Sequence, residues 1–429
     1  MSPTFAYLRG HYIFFLLPFL HTRASPVYDV CAYGAVGDGV TVDTAAVRAA
    51  ADALAAHGDG GTLLFPARKT FLTGAFNITG SNQVLRVEGA ILGARAPSGD
   101  AFRLVAPLPW YGGGVDAQMT GAREWQALVR SYAARNLTVT GGGAIDGQGD
   151  AWWPCAQKNL AQPPCGGFSR PRLLLLEGSV GLTVHNITLR NSPSWTLHLA
   201  NVTGAHVFNV TILAPATSHN TDAIDVDCSS DVLIEDAHIA VGDDAVAVKS
   251  GINWFGRAFG RRSENVLVRR VTVGPAPDKP GDVNTALTVG SEMSAGVRNV
   301  TFEDCVMVGT ALGSYVKSER GRGGVIEDIV YRNITLVNVS RAFFLTLNYA
   351  PGLPPTNSTA TPTMRGVAYE GITVRGADFL YDIDGLPESP LQDLRFANIS
   401  GEGVKALSKT CDYAKGTCEG VTPSCPPCF

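Results

Sequence analysis

The chain lacks the charge imbalance that marks a nucleic-acid partner. Among its 429 residues Lys and Arg number 34 and Asp and Glu 38, a net charge of −4, and the charges form no runs. Without a basic stripe there is no electrostatic footprint for a phosphate backbone. Past residue 24 there is no apolar run of membrane-spanning length, so no later segment is expected to cross a bilayer as a helix. Cys425-Pro-Pro-Cys428 has no matching His/Cys pair, which argues against zinc, and no other metal or cofactor is implied. Helical periodicity is almost missing after residue 56. What remains must be built largely from strands and turns, and 48 glycines suit that.

Residues 1–24 read as a signal peptide. Arg9 supplies a positive start, Tyr12 to Leu20 an apolar stretch too short to span, and Thr22-Arg23-Ala24 a cleavage site. The expectation is a secreted protein of the extracellular space or cell wall, free of the membrane after cleavage and monomeric. All nine cysteines follow the cleavage site and enter an oxidising compartment. Cys155 and Cys165 are spaced for a local loop, Cys411, Cys418, Cys425 and Cys428 crowd the end, and disulfides are expected with one cysteine left over. Ten Asn-x-Ser/Thr sequons occur; some suit glycans, while others read as Asn and Thr at strand positions.

One helix is predicted over 43–56. Asp43 stands as its N-cap, Val47, Ala50 and Leu54 form an apolar stripe, and Gly58 stops it. From about residue 135 a short unit recurs: Arg135-Asn-Leu-Thr-Val139, His185-Asn-Ile-Thr-Leu189, Phe208-Asn-Val-Thr-Ile212, then Arg332-Asn-Ile-Thr-Leu336 and Glu370-Gly-Ile-Thr-Val374 among others. From 185 onward the spacing runs between 23 and 38 residues. Alternating polar and apolar residues at coil-length period predict a parallel β-helix, an all-β solenoid whose first coil the helix would cap. A β-sandwich would alternate too, but would not repeat the same element. The expected organisation is one β-helix over 25–402 and a Cys-rich tail over 403–429.

Two acidic points stand one coil apart: Asp222, in Asn220-Thr-Asp222, and Asp243-Asp244, after Gly242. A lone Gly-Asp-Asp is commonly a turn. Carboxylates stacked on adjacent coils raise one another's proton affinity, which suits acid/base chemistry.

These motifs resemble signatures of the polygalacturonase family, glycoside hydrolase family 28, in its plant and bacterial, exo-polygalacturonase-like branch. The likeness extends to Gly37-Asp-Gly39, Gly143-Ala-Ile-Asp-Gly-Gln-Gly149, Asn191-Ser-Pro-Ser-Trp195, Gly290-Ser-Glu-Met-Ser294, Gly321-Arg-Gly323 and Asn348-Tyr349, in order over nearly the whole mature chain. It implies a single-stranded right-handed parallel β-helix and an inverting hydrolase of galacturonic-acid-containing polysaccharide. Asp243 would be the general acid, with Asp222 and Asp244 holding the attacking water. Inversion generally places acid and base about 6.5–9.5 Å apart. Asn220 would orient that shell and Lys317 grip a uronate carboxylate, with Lys249 adding positive charge near the subsite.

Two departures stand out. Thr285 falls where the family has a histidine, and Tyr315 where it has the arginine of Arg-x-Lys. The lost guanidinium fork points to another uronan, to weakened catalysis or to a polysaccharide-binding protein. His219, beside the carboxylates, is a candidate electrostatic substitute, or simply a turn residue. His185, His198, His206 and His238 read as ladder residues, and Trp195 and Tyr111 as packing before sugar stacking. A pectate-lyase-like site would need calcium carboxylates and an arginine base, which the two acidic motifs do not match.

Overall fold

The computed structural model describes residues 25–112, 123–158, 161–275, 286–349 and 360–429. Thirty strands join into one parallel sheet that winds into three ladders; the one other sheet among the described residues is a two-stranded antiparallel pair, Leu104–Val105 with Glu124–Trp125. The first ladder climbs from Phe76–Ile78 through Leu197–Ala200, Ile224–Asp227, Val246–Lys249, Leu287–Val289 and Leu312–Lys317 to Thr335–Thr346 and Thr373–Asp384. The others run beside it, one from Asp59–Phe65 to Ala414–Thr422 and one from Asp38–Val42 upward. The architecture is a parallel β-helix.

Stacking in register makes the core a set of columns. Val184, Val207, Ile234, Val268, Phe302, Tyr331, Tyr369 and Phe396 pair successively, each at 1 % exposure or less. The upper four are aromatic, with neighbouring centroids 4.8, 4.9 and 5.0 Å apart, close to the spacing of hydrogen-bonded strands. Burial on both sides lets rings stack face to face along the axis.

The repeated asparagine does something other than occupy a pleat position. Asn186, Asn209, Asp236, Asp304, Asn333 and Asn398 all have φ between 48° and 55°, at the bend between two ladders. Asn and Asp tolerate that left-handed conformation because their side chains bond locally. Here they also bond upward: Asn209 Nδ2 donates to Asn186 Oδ1, and Asn333 Nδ2 to Asp304 Oδ1 at 2.6 Å. The motif marks a corner of each coil, and the Ile-Thr that follows starts the next strand.

The capping helix spans Thr44–His57 and buries Val47, Ala50 and Leu54. Asp43 sits at its N-terminus, but its carboxylate accepts from Val36 N (2.7 Å) and Gly37 N (3.1 Å) instead of capping the helix. At the far end Leu391–Asp412 runs across residue 402 as one strand, and Ala414–Thr422 pairs along it, so the ladders continue into the Cys-rich stretch. Cys155–Cys165, Cys411–Cys428 and Cys418–Cys425 are bonded. Three cysteines remain reduced rather than the one expected: Cys31, Cys228 and Cys305, the last two buried in strand connections away from any partner sulfur.

Cutting one ring out of the aromatic column should be costly. Phe302→Ala is expected to lower stability by about 3–5 kcal/mol, seen as a lower denaturant midpoint; an unchanged midpoint would mean the column closes without loss.

Candidate active site

The first ladder carries the acidic motifs at its outer face. Ile224 pairs with Val246, so Asp222 and Asp244, two residues earlier on each coil, lie one above the other. Ala223 N donates to Asp244 O at 2.9 Å and fixes that register. The Gly-Asp-Asp step passes tightly over the coil below. A Cβ on Gly242 would stand 2.1 Å from Ser218 O, and Gly242 N donates to Thr221 Oγ1. No other residue fits there.

The three carboxylates converge, with one oxygen of each within 4.8 Å of the others. Strand spacing in the stack, about 4.8 Å, sets Asp222 beside Asp244, and Asp243 adjoins Asp244 in sequence. Like charges this close demand cations, and two lysines supply them. Lys249 Nζ lies 3.0 Å from Asp222 Oδ2, 2.9 Å from Asp225 Oδ1 and 3.7 Å from Glu292 Oε2. Lys317 Nζ donates to Asp244 Oδ2 at 2.9 Å, and Thr288 Oγ1 to Asp244 Oδ1 at 2.6 Å. Asp243 has neither lysine within ion-pair distance among the described contacts; its Oδ1 accepts from Asp244 N at 2.9 Å.

Electrostatics follow this division. Burial pushes the Asp243 carboxyl up to about 8, with Asp222 and then Asp244 adding repulsion. Asp244 is also raised by burial, against the pull of Lys317. Burial disfavours charge on Lys249 and Lys317, yet the surrounding acids outweigh it and hold both well above the ordinary range. Burial likewise opposes ionisation of Glu292, but Lys249, Arg322 and Lys317 bring its carboxyl down to about 2. The arrangement can hold one proton on Asp243 at neutral pH beside two lysine-paired carboxyls.

The remaining expected residues divide. Asn220, at φ 52°, has its Oδ1 bound by the buried Arg170 at 2.8 Å, which leaves its N–H groups as donors. His219 is exposed on the same turn, its carbonyl accepting from Arg170 at 2.7 Å. Lys249 is 3 % exposed and lies on the face of Trp195, 3.5 Å from the ring centroid. Tyr315 and Lys317 line a cavity of about 410 Å³ together with Asp243 and Asp244. Thr285 lies outside the described residues. Trp195 and Tyr111 pack edge to face, buried. His198 is buried against Asp227 at 3.0 Å, and burial pulls its ring down to about 4.

Sequence reasoning missed Arg170, Thr288 and Glu292, each of which reaches the site from another coil. Glu292 lies inside the quoted Gly290-Ser-Glu-Met-Ser294, which carried the only signal for it.

Comparison with known proteins agrees with this geometry. The sequence profile described as glycosyl hydrolases family 28 matches residues 112–425. A probable polygalacturonase of Vitis vinifera is 33% identical over 403 residues, 92% of this chain and 78% of its own. An exopolygalacturonase structure from Thermotoga maritima superposes with a TM-score of 0.76 at 25% identity, covering 92% of this chain and 90% of that one. A polygalacturonase structure from Erwinia carotovora reaches 0.69 at 20% identity, with 92% and 97% covered, and so shares the fold. The solenoid is thus of the right-handed polygalacturonase type, and the chain belongs to glycosyl hydrolases family 28.

Proposed function

We propose that the protein is a secreted hydrolase of galacturonic-acid-containing polysaccharide, acting in pectin degradation or cell-wall remodelling with Asp243 as general acid. The observation that carries this is the unequal pairing of three converging carboxylates: Asp222 and Asp244 each hold a lysine, and Asp243 does not. Asp243 gives its proton to the glycosidic oxygen as the C1–O bond breaks. Water, held by Asp222 and Asp244, adds its oxygen to C1 and passes its proton to that pair. Lys249, from the next coil, pairs with Asp222.

The close spacing of the carboxylates leaves a second stereochemical reading, since about 5–5.5 Å is usual for a retaining pair. Both Asp222 and Asp244 have an oxygen committed to a lysine, which favours holding water over attacking carbon. Proton NMR of the first product is expected to give the inverted anomer; a retained one would make one of the two a nucleophile.

Export rests on the leader-like residues 1–24, and no helix among the described residues is long and apolar enough to cross a membrane. The helix at one end and the disulfides at the other cover the stack, which supports a monomer.

Reducing-sugar release from a panel of homogalacturonan, rhamnogalacturonan and a marine uronan tests the reading. Wild type is expected to release sugar from at least one, and Asp243→Asn to lose about 10²–10⁴-fold. Binding without release by the wild-type protein would make it a polysaccharide-binding β-helix. Because the acid works only while protonated, the rate should fall as pH rises through about 8. Lys249→Met removes positive charge that favours ionised Asp244. The low-pH limb is expected to move to higher pH; a uniform loss at every pH would mean Lys249 matters for folding alone.

A further inference from the structure

The cavity beside Asp243 and Asp244 is lined by two cations, each paired with a carboxylate. Lys317 is bound to Asp244 at 2.9 Å. The other is Arg341, from the next coil. Leu312 pairs with Arg341 and Tyr315 with Phe344, so Arg341 starts the strand segment lying directly on the one that carries Tyr315 and Lys317. Tyr315 and Phe344 stack at 4.5 Å with planes 11° apart, and the Arg341 guanidinium lies over Phe344, 4.7 Å from its centroid. Its Nη1 is held 3.0 Å from Asp382 Oδ2, while 28% of the side chain stays exposed. Lys409 Nζ also lies 3.9 Å from Asp382 Oδ2.

A guanidinium fixed by one carboxylate and one ring face is pre-oriented and retains further N–H donors. It opens on a cavity whose floor is anionic, where a carboxylate ligand needs a cation to enter at all. Tyr315 removes a guanidinium from its own strand, and Arg341 supplies one from the coil above.

We infer that Arg341 is a specificity-determining residue that binds a uronate carboxylate of the substrate in this cavity and selects the free acid over its methyl ester. This rests on the uronan-hydrolase reading above. The guanidinium offers a carboxylate two charge-assisted bonds that an ester cannot match, and the Tyr315–Phe344 stack forms the apolar wall beside it.

The test is calorimetric binding of trigalacturonate and its methyl ester to Asp243→Asn protein, in which turnover is suppressed, with and without Arg341→Gln. The added change is expected to weaken acid binding about tenfold or more and ester binding less than twofold. Arg341→Lys keeps a cation for Asp382, and hence the fold, and should give an intermediate loss for the acid. Equal losses for acid and ester, an unchanged acid affinity in both variants, or no acid binding by Asp243→Asn protein would overturn the assignment. Hydrolysis by the wild-type chain is read separately, so an active enzyme indifferent to Arg341 sinks only this inference.

Discussion

Repulsion between stacked carboxylates is the constraint around which this molecule is arranged. A parallel β-helix places equivalent residues of successive coils one strand spacing apart, and here those residues include Asp222 and Asp244. Three acids within 4.8 Å cannot all be charged in a half-buried site without compensation. Lys249 and Lys317 each pair with one; Asp244 is still raised by burial, and the unpaired Asp243 is raised to about 8. What sets Asp243 apart from the other two is therefore which side chains the lysines reach.

Holding two lysines in a buried site has its own requirements. Lys249 is surrounded by Asp222, Asp225, Glu292 and the Trp195 ring, so its charge is shared among partners from three coils. Asp225 is one of them, and burial pushes its carboxyl well up despite the lysine beside it. Removing any one partner leaves another buried group uncompensated, which is why such clusters tolerate little change.

Much of this was legible in the chain. The repeat period gave the solenoid, the apolar stripe at Val47, Ala50 and Leu54 gave the cap, and two acidic motifs one coil apart named the carboxylates that converge in the candidate site. The corner role of Asn186 and its equivalents was not legible, because a polar residue at a bend and one on a pleat leave the same alternation. Nor was the burial of Lys249, whose neighbours come from both adjacent coils and a loop more than forty residues on. The close spacing of Asp222 and Asp244 follows from coil stacking, which general expectations for acid/base pairs do not include.

The far end of the stack bears on the groove in an indirect way. Cys411, bonded to Cys428, pairs in register with Ile383, the residue after the Asp382 that steadies Arg341. Solenoids fray from their ends, since each coil is held only by its neighbours. Loosening that terminal staple would disturb the Arg341 coil well before Asp222 and Asp243 were reached. Partial reduction should thus unsettle the Arg341 coil first and the carboxylate cluster later, making the last disulfides guardians of one end of the cavity.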